Sequence, residues 1–541
     1  MTNVKPTSYS NLSETEKDKI KCLLYVMDSF GISDEAYHEL SLQNGSLARS
    51  HLIKQCRTEM SNIFSISKTP GSSQGAQLKL HETLNRLLRE VNIAHALTVD
   101  GLPVVQLKFA ADGAKVSRLS SFLVLSLAVL NKGQEVMSCT GQYTLAIVSA
   151  KENFDNIKES FSDIFGDIND LLGSKDRNGY IKFVSDEGRE YFLEIFLGGD
   201  MKFLLTAMGL NAANAKFSCI YCKIDKNDRW DVSKPENFYA SDKNKRTVEE
   251  MKRMSQSKSK FGCVRPPLLD IDLDHVVIDE LHLMMRITDV LLRNLIEDAV
   301  NLDQESNLGK KGCSRTGNKV NSLISCIESC GVTFQIWENK VKDGRGDSIK
   351  NLEWTSLNGT DCKKLLRSLP DKLLSSECIH EGSKSQVVKL WQDFRSLYSS
   401  LNSWSPDKIT INLFFSKAKA WIQDFVSLSS SLEGYDSKNV TPYMHILVYH
   451  VPHLLQKYGS IKQFTGQGVE KCNDDIKLIY HRKTNKHDAT AEALRNRCRK
   501  HLLRSCARIK RKYTKQNAKY WQSGKKLAFS KYKVKVLRGN S

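Results

Sequence analysis

The stretch VVQLKFAADGA (Val104–Ala114) decides the fold, because it reads as a strand that ends in an acid. Val105, Leu107 and Phe109 fall on one face and polar residues alternate with them, which is the two-residue period of a β-strand. The segments SFLVLSLAVL and QYTLAIVSA follow after short connections. Together the three segments predict an antiparallel meander.

A helix and a fourth strand follow the meander. ENFDNIKESFSDIFGDINDLLG has helical spacing, YFLEIFLGGD predicts a strand that ends at Asp200, and MKFLLTAMG begins another helix at once. This order of strands and helices, β-β-β-α-β-α, is that of a ribonuclease-H-like core. We therefore expect an α+β fold in which the fourth strand lies parallel beside the first. Residues 223–439 read mostly as helices, and HVVIDELHLMMRITDVLLRNLIEDAV is predicted to be one of them.

Three acids stand where such a core would bring them together. Asp112 ends the first strand and Asp200 the fourth, while Gly113 and Gly199 leave room beside them. Glu470 begins the amphipathic segment VEKCNDDIKLIYHR and would approach the same edge. Carboxylate oxygens are preferred ligands of Mg²⁺ and Mn²⁺, so the three acids are a candidate catalytic and divalent-metal site. Taken singly, each acid is more typical of a structural role, such as turn chemistry, than of a metal site.

A second candidate metal site combines two cysteines with two histidines. FSCIYCK places Cys219 and Cys222 at C-x2-C spacing, and HILVYH places His445 and His450 at H-x4-H spacing. Both spacings occur in zinc sites. A tetrahedral site built from the four residues would tie the end of the helical segment back to the core. The alternative stays open that the two cysteines are merely buried and reduced.

The composition is that of a globular protein with an excess of positive charge. The chain has 541 residues, of which 40% are hydrophobic, and a net charge of +19. This charge favours a polyanionic partner, with nucleic acid ahead of a membrane surface. Arg495–Ser541 holds 17 Lys and Arg without Asp or Glu, so it reads as a tail for DNA binding or nuclear import, or as a solvated tail. The polar N-terminus predicts no targeting segment, and the apolar run Ser121–Leu130 is too short to cross a membrane.

These segments divide the chain into five regions. In order, we expect a helical N-terminal region for DNA binding or dimerisation, the first part of the core, a helical insertion, a segment with the histidine pair and Glu470, and a basic tail. The corresponding residues are 1–100, 101–222, 223–440, 441–490 and 491–541. Within the first region, Ser67–Ala76 reads as a loop or linker between two helical segments.

The order and spacing of these motifs resemble the catalytic subunit of the V(D)J recombinase, the recombination-activating protein, and the Transib-type DDE transposases. The similarity spans roughly residues 107–503. Its anchors are the Asp-Gly at Asp112, the nineteen positions from Asp200 to Cys219, IDELH (Ile278–His282), HVP after the paired histidines, GSI (Gly459–Ile461), and the twenty positions from His450 to Glu470. The sequence departs from the family at QGVE, where the family has Glu-Gly-Asn-Glu, and no RING-type N-terminal module is recognised.

The resemblance implies a DDE-type DNA transposase or recombinase of the nucleus, acting as a homodimer, with or without an accessory subunit. Its substrate would be double-stranded DNA ends such as terminal inverted repeats. Asp112, Asp200 and Glu470 would hold Mg²⁺ or Mn²⁺ for endonuclease cleavage and strand transfer, and the Cys-His quartet would hold Zn²⁺. Two other hypotheses stay open: a domesticated, non-catalytic DNA-binding protein that retains the fold, and a nuclease of the same fold without transposition.

Overall fold

The computed structural model describes residues 7–90, 97–118, 120–176, 179–258, 260–310, 316–342 and 348–506. The elements of the N-terminal part are α1 (Glu14–Phe30), α2 (Asp34–Gln43), α3 (Ser50–Asn62), β1 (Ile66–Lys68), β2 (Gly75–Leu78), α4 (Leu80–Glu90) and β3 (Thr98–Val99). A capping box begins α1, because Ser13 Oγ accepts from the Glu16 N–H and Glu16 Oε2 accepts from the Ser13 N–H.

The next elements alternate strands and helices. They are β4 (Leu102–Lys115), β5 (Ser121–Val129), β6 (Gln142–Val148), α5 (Phe154–Ser160), α6 (Ser162–Gly173), β7 (Ile181–Val184), β8 (Glu190–Gly199) and α7 (Met201–Ala207).

The remaining part is mainly helical. Its first elements are α8 (Val248–Ser255), β9 (Val276–Ile278), α9 (Glu280–Ser306), α10 (Asn318–Ser329), β10 (Ile336–Lys342), β11 (Ser348–Trp354), α11 (Gly359–Leu374), α12 (Lys384–Leu401) and α13 (Lys408–Ser427). The chain then forms α14 (Pro442–Tyr449), α15 (Val451–Tyr458), α16 (Gln467–Lys483) and α17 (Ala489–Leu502). Among the described residues, no helix is both long and apolar enough to cross a membrane.

The strands form one mixed sheet and one separate hairpin. The sheet has the order β1-β2-β6-β5-β4-β8-β7, with β3 also paired to β4 and β9 also paired to β8, while β10 and β11 pair with each other. β4 runs antiparallel to β5 and parallel to β8, with Val104 opposite Phe192 and Ala110 opposite Gly198. The predicted α+β class is confirmed, and the YFLEIFLGGD strand lies parallel beside the first strand as expected.

The polar face expected for β4 is not exposed. Lys108 is only 1% exposed, because the chain before α16 covers this side of the strand. Its Nζ donates hydrogen bonds to the carbonyl oxygens of Phe464 (3.2 Å) and Thr465 (2.8 Å). These bonds allow an ammonium group to lie in the interior, where an unpaired one would be very unfavourable.

The N-terminal region is not wholly helical, and the loop predicted over Ser67–Ala76 is only part of a hairpin. β1 and β2 form the two sides of this hairpin, and β2 joins the main sheet through the pairing of Gly75 with Val148. Strands of three and four residues are too short to show a two-residue period in the sequence. Gly75 is required there, since a Cβ atom would lie 2.0 Å from Thr69 Oγ1.

The long helix predicted from His275 onward begins later than expected. Val276–Ile278 is the strand β9, which pairs in parallel with β8, and the helix α9 starts at Glu280 with Asp279 as its N-cap. Three consecutive β-branched residues favour a strand, and an N-cap aspartate favours a helix start at the following residue. The helical insertion therefore contributes a strand to the main sheet, as well as the separate β10–β11 hairpin.

The basic tail is shorter than predicted. Residues 489–502 form the buried helix α17, which packs on β6, β2 and α16, so the boundary at residue 491 is wrong. Leu494 and Cys498 supply its apolar side. Several of its basic side chains form ion pairs inside the protein and do not belong to a solvated tail. Arg499 pairs with the buried Asp28 of α1 at 2.9 Å, which attaches the N-terminal helices to α17. The remainder of the predicted tail, residues 507–541, lies outside the described residues.

Arg497 connects α17 to both the sheet and α16. Its guanidinium donates to Asp475 Oδ2 (2.9 Å) and to the carbonyl oxygens of Cys139 (3.1 Å) and Gln142 (2.9 Å). The side chain is 7% exposed, and Lys500 reaches the other oxygen of Asp475 at 2.5 Å. A planar, five-donor group is suited to satisfying several acceptors at one buried point.

Arg497→Met should lower the free energy of unfolding by about 3 kcal/mol, because Asp475 would lose one of its two cations and two buried carbonyls would lose a side-chain donor. Arg495→Met is the matched control, since Arg495 lies exposed on the same helix. Urea unfolding followed by tryptophan fluorescence measures the effect. Equal midpoints for the two variants would contradict the role given to Arg497.

Candidate active site and metal centre

Cys219, Cys222, His445 and His450 converge on one buried point. One ligand atom from each residue lies within 4.8 Å of every other, and the four residues are between 0% and 9% exposed. The two cysteines lie in the loop after α7, His445 lies in α14, and His450 lies at the junction of α14 and α15. The pairing predicted from the two spacings is therefore present, and the quartet can hold a metal ion such as zinc.

The separations between the donor atoms fit a tetrahedral ion. Tetrahedral zinc with usual bond lengths needs about 3.3 Å between two nitrogens and about 3.6 Å between a nitrogen and a sulfur. The Nε2 atoms of His445 and His450 are 3.3 Å apart. Cys219 Sγ lies 3.4 Å from His450 Nε2, and Cys222 Sγ lies 3.3 Å from His445 Nε2. The four donors thus have almost the spacing that a bound ion would require.

The surroundings support thiolate at Cys219. Burial raises the pKa of this thiol, but its hydrogen bond with Cys222 and the neighbouring histidines outweigh burial and hold the pKa well below its usual range. A thiolate is the form that binds metal. The buried Arg246 donates from Nε to the carbonyl oxygens of Cys219 (3.0 Å) and Cys222 (2.9 Å), which fixes the turn between them.

The quartet also connects to the edge of the main sheet. Tyr221, between the two cysteines, donates its hydroxyl to the carbonyl oxygen of Val276 in β9 at 2.8 Å. Four protein ligands leave no open position, which is typical of a structural site and not of a catalytic one. Such a site would hold the loop after α7, the α14–α15 junction and β9 in one fixed arrangement.

The three acids predicted to act together line one pocket at the carboxyl edge of the sheet. Asp112 lies near the end of β4, Asp200 caps α7 directly after β8, and Glu470 lies in the first turn of α16. Within the described part of the chain, only the Cys-His quartet has three or more ligand atoms mutually within 4.8 Å. The three carboxylates therefore lie around an open pocket, and their oxygens would have to move closer together to bind one cation.

Hydrogen bonds hold each strand-end acid in place. Asp112 Oδ2 accepts from the side-chain amide of Asn473 at 2.6 Å, and Oδ1 accepts from the Gly113 N–H at 2.8 Å. Asp200 Oδ1 accepts from the Phe203 N–H at 2.7 Å, as an N-cap. Asn473 lies one turn after Glu470, so it connects the first acid to the helix that carries the third.

Negative charge accumulates in this pocket. Burial, and then the charge of Asp200, raise the pKa of Asp112 to about 6. Burial also raises the pKa of Glu470, although the neighbouring His282 opposes the shift. Carboxylates that repel one another at a shared site are typical of positions that await a cation.

Two residues of the pocket, Asp279 and His282, were not predicted as site residues. Asp279 is fully buried and accepts from the Gly466 N–H (2.7 Å), the Leu281 N–H (3.1 Å) and His282 Nδ1 (2.5 Å). His282 Nε2 lies 3.6 Å from Glu470 Oε1. Although burial lowers the pKa of His282, its hydrogen bond with Asp279 raises it to about 9 overall. A charged imidazolium thus links the start of α9 to Glu470. The sequence contained one signal for Asp279, because this acid directly follows the β-branched segment Val276–Ile278 and so stands at the end of a possible strand.

A buried ionic layer lies beneath the pocket. Glu280 Oε1 and Lys462 Nζ are 2.6 Å apart, and both side chains are almost fully buried. Burial lowers the pKa of Lys108 to about 8, although the charges of Asp279 and Glu280 oppose the shift. The layer connects β4, the start of α9 and the chain that leads into α16, so it fixes the direction from which Glu470 enters.

Four cations lie close in the sequence to the acids of the pocket or act on their charge. Lys202, two residues after Asp200, is 63% exposed, and Arg286, one turn after His282, is 57% exposed. Lys471 follows Glu470 on the surface, and Lys363 of α11 lies near the charges of Glu280 and Glu470. An acidic pocket with basic side chains nearby can accept a phosphate group, provided that the acids are neutralised by metal.

No protein-family model and no curated protein matches the sequence significantly. The resemblance to DDE recombinases therefore stays an expectation from the short motifs.

We expect the purified protein to contain about one zinc ion per chain. Cys219→Ser should lose this ion and unfold at a temperature at least about 5 °C below that of the wild type, because metal binding is coupled to folding. Cys263→Ser is the matched control, since Cys263 is buried nearby but lies outside the quartet. Elemental analysis and calorimetry provide the measurements. Full zinc content in Cys219→Ser would remove the quartet as the site.

Asp112→Asn should stabilise the protein in buffer that contains zinc but no Mg²⁺ or Mn²⁺. The pKa of Asp112 is about 6 in the folded protein against an ordinary value of 3.8, so ionisation of this carboxyl group lowers the stability of the fold. The cost is absent below pH ~3.8, grows up to pH ~6 and is constant above, at about 2 kcal/mol after allowing for partial exposure. Urea unfolding from pH 4 to pH 8 measures it. A difference between variant and wild type that does not change with pH would contradict the prediction.

Proposed function

We propose that the protein is a DDE-type DNA transposase or recombinase whose catalytic acids are Asp112, Asp200 and Glu470. The observation that carries the proposal is the convergence of these acids, from three distant parts of the chain, on one pocket at the ends of two parallel strands. The order of the strands supports the finer assignment of a ribonuclease-H-like core. In this proposal the first strand, β4, is central, β5 and β6 of the antiparallel meander lie on one side, and the parallel strand β8 lies on the other.

The residues of the pocket suit Mg²⁺ or Mn²⁺. Carboxylate oxygens are the donors that these hard cations prefer, and their mutual repulsion in the pocket would be relieved by positive charge. Bound there, divalent cations would supply an activated water and neutralise charge on the phosphodiester. Asp112 and Asp200 would hold one side of the cation site and Glu470 the other. His282 would orient Glu470, and nearby exposed cations such as Arg286 and Lys471 would bind the phosphates that flank the scissile bond.

Zn²⁺ in the Cys-His quartet would have a structural role in this enzyme. It would hold the loop after α7 and the α14–α15 junction in fixed positions, so that α16 places Glu470 beside the two aspartates. The fit of the donor spacing to a tetrahedral ion supports this assignment.

Double-stranded DNA ends are the substrate that best fits the charge of the chain. The net charge of +19 and the basic segment after residue 506 support DNA binding and a nuclear location. Acting on paired ends, such as terminal inverted repeats, would require a homodimer, with or without an accessory subunit. The N-terminal helices, which are attached to α17 through Asp28 and Arg499, would contribute to DNA binding or dimerisation.

Asp112→Asn, Asp200→Asn and Glu470→Gln should each reduce DNA cleavage at least about 100-fold while leaving DNA binding largely intact. Each substitution removes a proposed metal ligand, and changing even a residue that only supports a ligand typically lowers metal affinity or activity 10–100-fold. The substrate is a supercoiled plasmid that carries the sequences flanking the reading frame, incubated with Mg²⁺ or Mn²⁺. Gel electrophoresis separates nicked, linear and strand-transfer products.

Asp474→Asn is the matched control, since Asp474 is exposed on the same helix as Glu470 and should retain activity. Nicking without joining of the freed 3′-hydroxyl would favour a nuclease without transposition. Tight DNA binding without any cleavage by the wild type would favour a non-catalytic DNA-binding protein and contradict the proposed enzyme.

A further inference from the structure

Two cysteines outside the Cys-His quartet lie against each other beside the helix that carries Glu470. Cys139 begins the turn Cys139–Gly141 directly before β6, and Cys472 lies in α16, two residues after Glu470. The turn packs directly on α16, and the two thiols share a hydrogen bond. Both are free cysteines. Two cysteines that already touch can be joined by a disulfide with only a small movement of the backbone.

Arg497 and Thr144 hold the two sulfurs in place. The guanidinium of Arg497 donates from one terminal nitrogen to Cys139 Sγ at 2.7 Å and from Nε to Thr144 Oγ1 at 3.3 Å. Thr144 Oγ1 in turn lies 3.5 Å from Cys472 Sγ. The four side chains therefore form a closed group, in which each sulfur contacts the other sulfur and one further polar partner. Groups that are held together in this way react with a much smaller loss of entropy than groups that must first meet.

The two cysteines differ in their access to solvent. Cys139 is partly exposed, whereas Cys472 is fully buried. A dissolved oxidant therefore reaches the sulfur of Cys139 first. Redox-sensing sites commonly combine an accessible cysteine, which is oxidised first, with a second cysteine that resolves the product to a disulfide. Cys139 suits the first role and Cys472 the second.

A covalent bond at this point would change the position of α16. The sulfurs of a disulfide lie much closer together than those of hydrogen-bonded thiols, so bond formation would draw α16 toward the turn. The residue after Cys472 is Asn473, whose side-chain amide donates to Asp112 Oδ2 at 2.6 Å. Glu470 lies in the same turn of the helix. Since a misplacement of about 1 Å in an active site can cost about 100-fold in rate, such a shift would affect the carboxylates of the pocket.

We propose that Cys139 and Cys472 form a redox-modification site, in which a peroxide joins the two thiols in a disulfide that shifts Glu470 and Asn473 relative to Asp112 and weakens divalent-cation binding. Formation of the disulfide does not depend on the proposed function, whereas its effect on cation binding rests on it. In the nuclear location proposed above, thiol reductants would make the bond transient.

The oxidation has two balanced steps. Hydrogen peroxide transfers one oxygen to the thiol of Cys139, which becomes a sulfenic acid, and the other peroxide oxygen leaves as water. The thiol of Cys472 then attacks the sulfenic sulfur, the S–S bond forms, and the hydroxyl group leaves with the thiol proton as a second water. The two sulfurs together lose two electrons, which reduce the peroxide. A dithiol reverses the reaction by thiol–disulfide exchange and is itself oxidised.

Peptide mapping of the full-length, zinc-loaded protein tests the modification without reference to activity. The wild type is treated with hydrogen peroxide at a dose that leaves its zinc content unchanged, then alkylated, digested and analysed by mass spectrometry. We expect a peptide pair linked through Cys139 and Cys472, which dithiothreitol separates. Cys498→Ala is the matched control, because Cys498 is buried on the neighbouring helix α17 and lies outside the pair, and it should form the same linked peptides. Absence of the linked peptides in the wild type would overturn the inference.

Electron paramagnetic resonance of free Mn²⁺ tests the effect on the pocket. Oxidation should weaken Mn²⁺ binding by the wild type at least about ten-fold, and dithiothreitol should restore it. Cys139→Ser should bind Mn²⁺ equally before and after peroxide. Unchanged affinity in a protein with the linked peptides would overturn the shift of α16 and leave the proposed function standing. Absence of Mn²⁺ binding by the reduced wild type would contradict the proposed function, while peptide mapping would still decide whether the disulfide forms.

Discussion

The parallel pairing of β4 with β8 is the constraint on which the rest of the structure depends. Antiparallel neighbours place the acids that follow them at opposite edges of a sheet, whereas parallel neighbours place them at the same edge. Because β4 and β8 run in the same direction, Asp112 and Asp200 emerge side by side. β9 extends the pattern on the far side of β8, which brings Asp279 and the start of α9 to the same edge. The helical parts then pack around a site whose position the sheet has already determined.

Bringing so many acids together requires positive charge in the interior. His282 lies between Asp279 and Glu470, and the ammonium groups of Lys108 and Lys462 lie beneath them. These cations come from β4, α9 and the chain before α16, so the same contacts that balance the charge also join the three segments. A buried ion pair is weak evidence for stability, and here its clearer role is to define where the segments meet.

The sequence was most informative where a pattern was long and local. The alternation in β4 and the acids at Asp112 and Asp200 could be predicted, because a strand of fourteen residues leaves a clear period. β9 could not, since three residues merge into the helix that follows, and Asp279 and His282 were missed with it. The burial of Lys108 was also unpredictable, because the residues that cover it lie more than 350 positions later. The Cys-His quartet was found despite a similar separation, since its two halves each have a recognisable spacing.

The quartet also closes a long loop, which contains the helical insertion. Cys222 and His445 are 223 positions apart, yet their ligand atoms nearly touch. The entropy of closing a loop grows only with the logarithm of its length, so doubling the segment would add about 0.6 kcal/mol. Residues can therefore be gained or lost at small cost in the loops between α10 and α13, whereas the helices themselves pack on the main core. A site that fixes both ends of the insertion allows the insertion to vary in length during evolution while the geometry of the core is kept.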